Sequence, residues 1–169
     1  MRLRGGFGRA GTLAGVLAFA LALAACSGQV GPPKEYELGA AAAATPGGVE
    51  DFAANAGDVV YFAGDSTTLS PTAQATLRKQ VRWLNRHPGY RVTIEGHADE
   101  WGTRQHNLTL GAQRATAVET FLKQNGLQVD RVHTVSYGKE RLVADCTALS
   151  CRAQNRRAQT VLSASTAAR

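Results

Sequence analysis

An apolar run, Leu13 to Ala25 (LAGVLAFALALAA), stands behind Arg2, Arg4 and Arg9 and ends at Cys26. A basic stretch followed by a short apolar run is the pattern of a secretory signal. The run is shorter than the ~20 residues a membrane-spanning helix needs. Residues 1–25 are therefore expected to be a removed leader, a buried core helix being the other reading of such a run. The next stretch, residues 26–48, contains SGQVGPPKEYELGAAAAATPGG; it is rich in Gly, Ala and Pro and has few large apolar side chains. It reads as a flexible tether, and its Ala40–Ala44 run is too short to be a stable helix alone. What can fold is thus confined to residues 49–164, with 165–169 as a tail. Roughly 115 residues in one domain are enough to enclose a core.

The leader closes in Leu23-Ala24-Ala25-Cys26, an apolar residue and two small ones before a cysteine. This looks like a bacterial lipobox, which makes Cys26 the acylated first residue of the mature chain. Several acyl chains anchor firmly, since each buried CH₂ contributes about 0.8 kcal/mol. Ser27 stands where an Asp would favour retention in the inner membrane, so a lipid-anchored place in the outer membrane, facing the periplasm, is expected. Loss of the leader removes three arginines, leaving 16 basic residues of 19 against 13 acidic ones. A balance of +3, with no lysine-rich stripe, speaks against nucleic acid as a partner. Cys146 and Cys151 remain, and an oxidising compartment predicts a disulfide between them. It closes a small loop, so its entropic gain should fall below the ~3 kcal/mol of a 15-residue loop. Metal binding and redox catalysis are the rivals. No second Cys or His pair lies nearby in sequence, and the spacing is not Cys-x-x-Cys.

Along the domain, Val59 to Phe62 reads as a buried strand. Ser70-Pro71 opens a helix whose inward stripe is Ala73, Leu77, Val81 and Leu84, and His87-Pro88-Gly89 stops it. Tyr90 to Glu95 alternates as a strand. A second helix is predicted from Asn107 to Gln124, ended by Asn125-Gly126, with Leu108, Ala112, Ala115, Val118 and Leu122 as its core stripe. Arg131 to Tyr137 and Ala158 to Ser163 are two further strands. The order β-α-β-α-β-β makes an α+β fold, a mixed four-stranded sheet covered by helices.

The loop GHADEWGTRQHN, residues 96–107, concentrates the chemistry. Arg114 follows on the second helix, beside Leu110, Ala117 and Phe121, so its stem runs along apolar surface. A half-buried guanidinium needs an anion, and Asp99 is the one at hand. Either the two form a structural pair that pins the loop, or they form a split site for a zwitterion. In the second case Arg114 forks a ligand carboxylate, Asp99 accepts from an ammonium, and Thr103 and the Gly102 turn complete the cradle. His97, Asp99 and His106 can be drawn as metal ligands, but three such residues in a loop are common by chance. Asp99 and Glu100 are sequence neighbours, which rarely face each other across a glycan as a hydrolase pair does. There is no nucleophile elbow, P-loop or dinucleotide fingerprint. A binding module is expected, with no enzyme activity, no metal and no cofactor.

Four separated blocks, GHADEWGT, NLTLGAQRATAV, VSYGKE and NRRA, resemble the OmpA C-terminal domain-like family, in its branch of peptidoglycan-associated lipoproteins. The resemblance spans roughly residues 58–164. It implies a mixed four-stranded sheet with helices, and noncovalent binding of the diaminopimelate in peptidoglycan stem peptides. The family pattern puts Asp99 and Arg114 on that ligand, with Thr103 and Asp65 close by. It makes Asn107 the residue that opens the second helix. His97, Gly102, Asn107, Arg156 and Arg157 fall in supporting places. TolB and other Tol proteins are the implied partners, and envelope integrity and cell division the implied role. The chain departs from the pattern at Trp101, where the family carries Arg, at Gln113, also Arg in the family, and at Gly64, where a large apolar residue is usual. Trp101 is expected either to stack on the aliphatic part of the stem peptide or to belong to a partner surface.

Overall fold

The computed structural model describes residues 45–164, Thr147 excepted. The expected leader, the acylated Cys26, the tether up to residue 44 and the tail at 165–169 lie outside the described residues. The elements are α1 (Val49–Asn55), β1 (Val59–Tyr61), α2 (Pro71–Arg86), β2 (Tyr90–His97), α3 (Arg104–Gln124), β3 (Val132–Gly138), α4 (Leu149–Asn155) and β4 (Arg157–Ala164), with a 3₁₀ turn at Val129–Arg131. The four strands lie in the order β1-β4-β2-β3. β4 runs antiparallel to both β1 and β2, while β2 and β3 are parallel. This is the expected mixed α+β sheet, with α3 as the crossover that any parallel pair requires.

Helix α2 forms where its signals placed it. The Ser70 hydroxyl accepts from the Ala73 N–H at 3.1 Å, and Pro71 occupies the first helical position. Its stripe of Ala73, Leu77, Val81 and Leu84 is buried against Val60, Val92, Ile94, Ala158 and Leu162 of the sheet. Gln80 sits in that apolar layer without cost because both ends of its amide are used. It donates to the Gly57 carbonyl at 2.6 Å and accepts from the Thr160 hydroxyl at 2.8 Å. The opposite face of the sheet leaves Tyr61 and Val161 exposed.

Helix α3 departs from the prediction in two ways. It starts at Arg104, three residues before Asn107, because the Thr103 hydroxyl caps it by accepting from the His106 N–H at 3.2 Å. Its buried stripe is Asn107, Leu110, Gly111, Arg114, Ala115, Val118 and Leu122; Ala112 is exposed and Leu108 half-buried. The cause is a backbone contact. A Cβ on Gly96 would run into the Gly111 carbonyl, and one on Gly111 would meet the Ser136 hydroxyl. Two glycines let α3 rest directly on β2, and that contact sets which face points down.

Two helices were not predicted. α1 buries only Phe52 and α4 only Asn155, and seven residues show too little period to be seen. α4 is tied to the loop before it by the Cys146–Cys151 disulfide, and by Asn155, whose side chain accepts from the N–H groups of Val143 and Ala144 and donates to the Ala144 carbonyl. No helix among the described residues is long and apolar enough to cross a membrane.

Candidate binding site

β2 ends in a bulge at Gly96/His97, after which the chain leaves the sheet and Asp99 begins a tight loop. The Asp99 carboxylate accepts from the Trp101 N–H at 3.3 Å, and the Asn107 amide donates to the Trp101 carbonyl at 2.7 Å. Gly102 turns with φ +87°, a conformation that favours glycine. Lys139 closes the loop from β3's end by donating to the Gly102 carbonyl at 2.8 Å. A second wall is the segment after β1, where Gly64 also has positive φ and the Ser66 N–H returns to the Ala63 carbonyl.

Between these walls lies a cleft of about 450 Å³, lined by Gly64 and Asp65 on one side, by Asp99, Trp101, Gly102 and His106 on the other, and by Arg152 and Arg156 at its end. Asp99 is nearly buried, and its Oδ2 pairs with Arg156 Nη1 at 3.2 Å. Arg156 also donates to the Phe62 carbonyl at 3.3 Å. Across the mouth, His106 Nε2 stands 3.8 Å from an Asp65 oxygen. The indole of Trp101 is 65% exposed, and Arg152 lies over it, 4.1 Å from the ring centre.

The expected Asp99–Arg114 pair is not formed. Arg114 is fully buried, not half-buried. Its guanidinium donates to the carbonyls of Ser66 (3.1 Å), His97 (2.8 Å) and Gly64, and lies over the Phe62 ring. Three carbonyl dipoles from both walls take the place of the anion. Burial lowers its pKa to about 10; Asp99 and Asp65 raise it in part, and Arg156 adds to the lowering. It stays charged at neutral pH and holds the walls together from below. Thr103 is also off the cleft wall, its hydroxyl engaged as the cap of α3.

The two supporting arginines separate, as neighbours at a strand's start do. Arg156 enters the cleft directly. Arg157 turns away, buried, and donates to the Arg141 carbonyl at 3.2 Å; burial is the main cause of its lowered pKa. His97 and His106 likewise part company. His97 is buried with its ring stacked on Tyr137, and neither ring nitrogen has a hydrogen-bond partner. Burial, with Arg157 and Arg141 adding, lowers its pKa to about 4. Arg152 was missed because α4 was missed; the i, i+4 spacing of Arg152 and Arg156 next to a disulfide was the available signal.

A family model described as the OmpA family matches residues 61–156. The peptidoglycan-associated lipoprotein of Agrobacterium fabrum is 50% identical over 149 residues, covering 86% of this chain and 84% of that protein. That of Rhizobium meliloti is 51% identical over 148 residues, covering 86% and 84%. The crystal structure of the peptidoglycan-associated lipoprotein from Burkholderia pseudomallei matches with TM-score 0.61 at 39% identity, over 63% of this chain and 90% of that one. The C-terminal domain of Helicobacter pylori MotB shares the fold, with TM-score 0.60 at 21% identity, over 64% of this chain and 86% of that one.

Proposed function

The chain belongs to the OmpA family, among the peptidoglycan-associated lipoproteins, and from that premise we propose that its cleft grips peptidoglycan noncovalently through the zwitterionic end of a diaminopimelate residue. The observation that carries the proposal is the Asp99–Arg156 pair at 3.2 Å on the cleft wall. A largely buried ion pair is costly to break by removing one partner. A zwitterion avoids that cost, because its ammonium takes Asp99 while its carboxylate takes Arg156, and one internal pair becomes two across the interface. Charge-assisted hydrogen bonds to a forked guanidinium suit that exchange. Arg114 backs the carboxylate with its charge. Direct contact with it requires the Gly64 carbonyl to leave Nη2. Asp65 and His106 border the opening, and Trp101 offers an apolar face to the aliphatic part of the stem peptide.

In this reading the protein works by binding, without bond chemistry. Acylated Cys26 holds it in the outer membrane, and the tether brings the domain within reach of the wall. By resemblance, TolB and the other Tol proteins are its protein partners, in a Tol-Pal system that maintains the envelope and serves cell division. The test is sedimentation of the detergent-solubilised mature chain with purified sacculi. The chain is expected to co-sediment without releasing soluble fragments, and Asp99→Ala to lose most of that binding while its circular dichroism stays that of the parent. Undiminished sedimentation of folded Asp99→Ala would remove the cleft from the function, and released fragments would replace binding by hydrolysis.

A further inference from the structure

We propose that Arg152, held over the Trp101 ring, is a second anion-recognition point in the cleft, taking a carboxylate of the bound peptide that lies outside its zwitterionic head. This rests on the reading of the cleft given above. Arg152 and Arg156 both line the cleft, and Arg156 is engaged with Asp99. Arg152 is paired more loosely. Its nearest carboxylate, Glu100, stands 3.7 Å from Nε, beyond hydrogen-bond length. Arg152 Nε and both Glu100 oxygens are buried with no hydrogen-bond partner. Glu100 thus offsets part of the charge without occupying the donors of the fork. A guanidinium lying over an indole can still present its Nη groups to a carboxylate.

The mount is rigid, as a recognition point needs. Cys151, the residue before Arg152, is bonded to Cys146. The Arg152 N–H returns to the Ala148 carbonyl at 3.2 Å, and the Arg156 N–H to the Arg152 carbonyl at 3.1 Å. Buried Asn155 fastens the same helix to residues 143 and 144. A ligand with one carboxylate in its head and more along its backbone, as a stem peptide has, would meet both arginines in turn.

Titration calorimetry on the detergent-solubilised mature chain, with free diaminopimelate and with the tripeptide L-Ala-γ-D-Glu-diaminopimelate, tests this. Arg152→Gln should weaken tripeptide binding roughly tenfold more than it weakens free diaminopimelate, the scale of one charge-assisted contact. Arg152→Lys, which keeps the charge but not the fork, should fall between. Amidating the tripeptide carboxylates outside the head group should erase the difference between the parent and Arg152→Gln. Equal losses for both probes, or a difference that survives amidation, overturns the second point and leaves the head-group site standing. If neither probe binds the parent, or Asp99→Ala changes neither affinity, the underlying reading falls and this inference with it.

Discussion

The two tryptophans of the chain sit at opposite kinds of surface. Trp83 is buried at the end of α2, its indole N–H donating to Asp51 at 2.7 Å. Phe52 meets it edge-on at 5.0 Å, and His87 stacks on it at 4.0 Å. Asp51 accepts also from Gly47 and Asn55, and these bonds, Trp83's first, lower its pKa. The Tyr90 hydroxyl donates to the Gly47 carbonyl. The polar groups gathered there find partners, and they pin residues 47–55 to the sheet. Trp101 is the reverse, mostly exposed, with a cation for a neighbour. Arg152, over its ring, and Glu100, 3.7 Å from Arg152 Nε, hold buried polar atoms that find no hydrogen-bond partner. Buried polar groups are normally paired, so the loosely matched Arg152 and Glu100 at the cleft contrast with the fully bonded Trp83 end.

The largest test of that contrast is Trp83→Ala. It removes a buried aromatic together with the partner of Asp51, and should cost about 3–5 kcal/mol in urea unfolding. A cost near that of a surface substitution would mean that this end is not the anchor of the fold.

Acid should expose strain at a third place, the buried His97 ring beside Tyr137. His97 is held neutral, with its pKa lowered from 6.5 to about 4 by burial first, then by Arg157 and Arg141. The unfolded chain takes up this proton near pH 6.5 and the folded chain does not. The contribution is therefore fully present above pH 6.5 and is lost as pH falls towards 4, by up to about 3 kcal/mol. His97→Phe, which cannot titrate, should flatten the fall in urea midpoint between those pH values relative to the parent. Parallel curves would show that His97 is not the group responsible.

How much of this was legible beforehand follows from where each signal lies. Strand alternation, the Ser70-Pro71 cap and the α2 stripe are local, and strand ends came out within two residues. The acidic loop and its glycine turn were local too, and Asp99, Trp101 and Gly102 do line the cleft. The α3 stripe held at Ala115, Val118 and Leu122, but at its start apolar content pointed to Leu108 and Ala112, while the Gly96–Gly111 backbone contact, fifteen residues apart in sequence, turned Asn107 and Gly111 inward. Arg114 was placed near the site, but of the two readings the direct Asp99 pair is not formed, and three carbonyls accept instead. Carbonyls carry no sequence label, so three of them converging on a guanidinium cannot be read from residue types. Arg156 lies 57 positions from Asp99, and only the β1-β4-β2 pairing brings it there.

The smallest effect on stability, and the sharpest on the contrast, belongs to Trp101. An indole this exposed contributes little to folding, and its stack with Arg152 is worth about 0.5–1 kcal/mol. Trp101→Arg, which restores the residue usual in the family, should therefore not behave as a repair. It would set a second guanidinium against Arg152 and lose the stack, lowering stability by about 1 kcal/mol or less. Adding Arg152→Trp reverses the pair, cation on the loop and ring on α4, and should recover most of that loss. A double-mutant cycle in urea measures the coupling. Coupling near zero would reduce the stack to a coincidence of two surface side chains. Coupling of the expected size, in a pair whose single changes hardly move the unfolding midpoint, would set Trp101 apart from Trp83 as a residue kept in place for the cleft it borders.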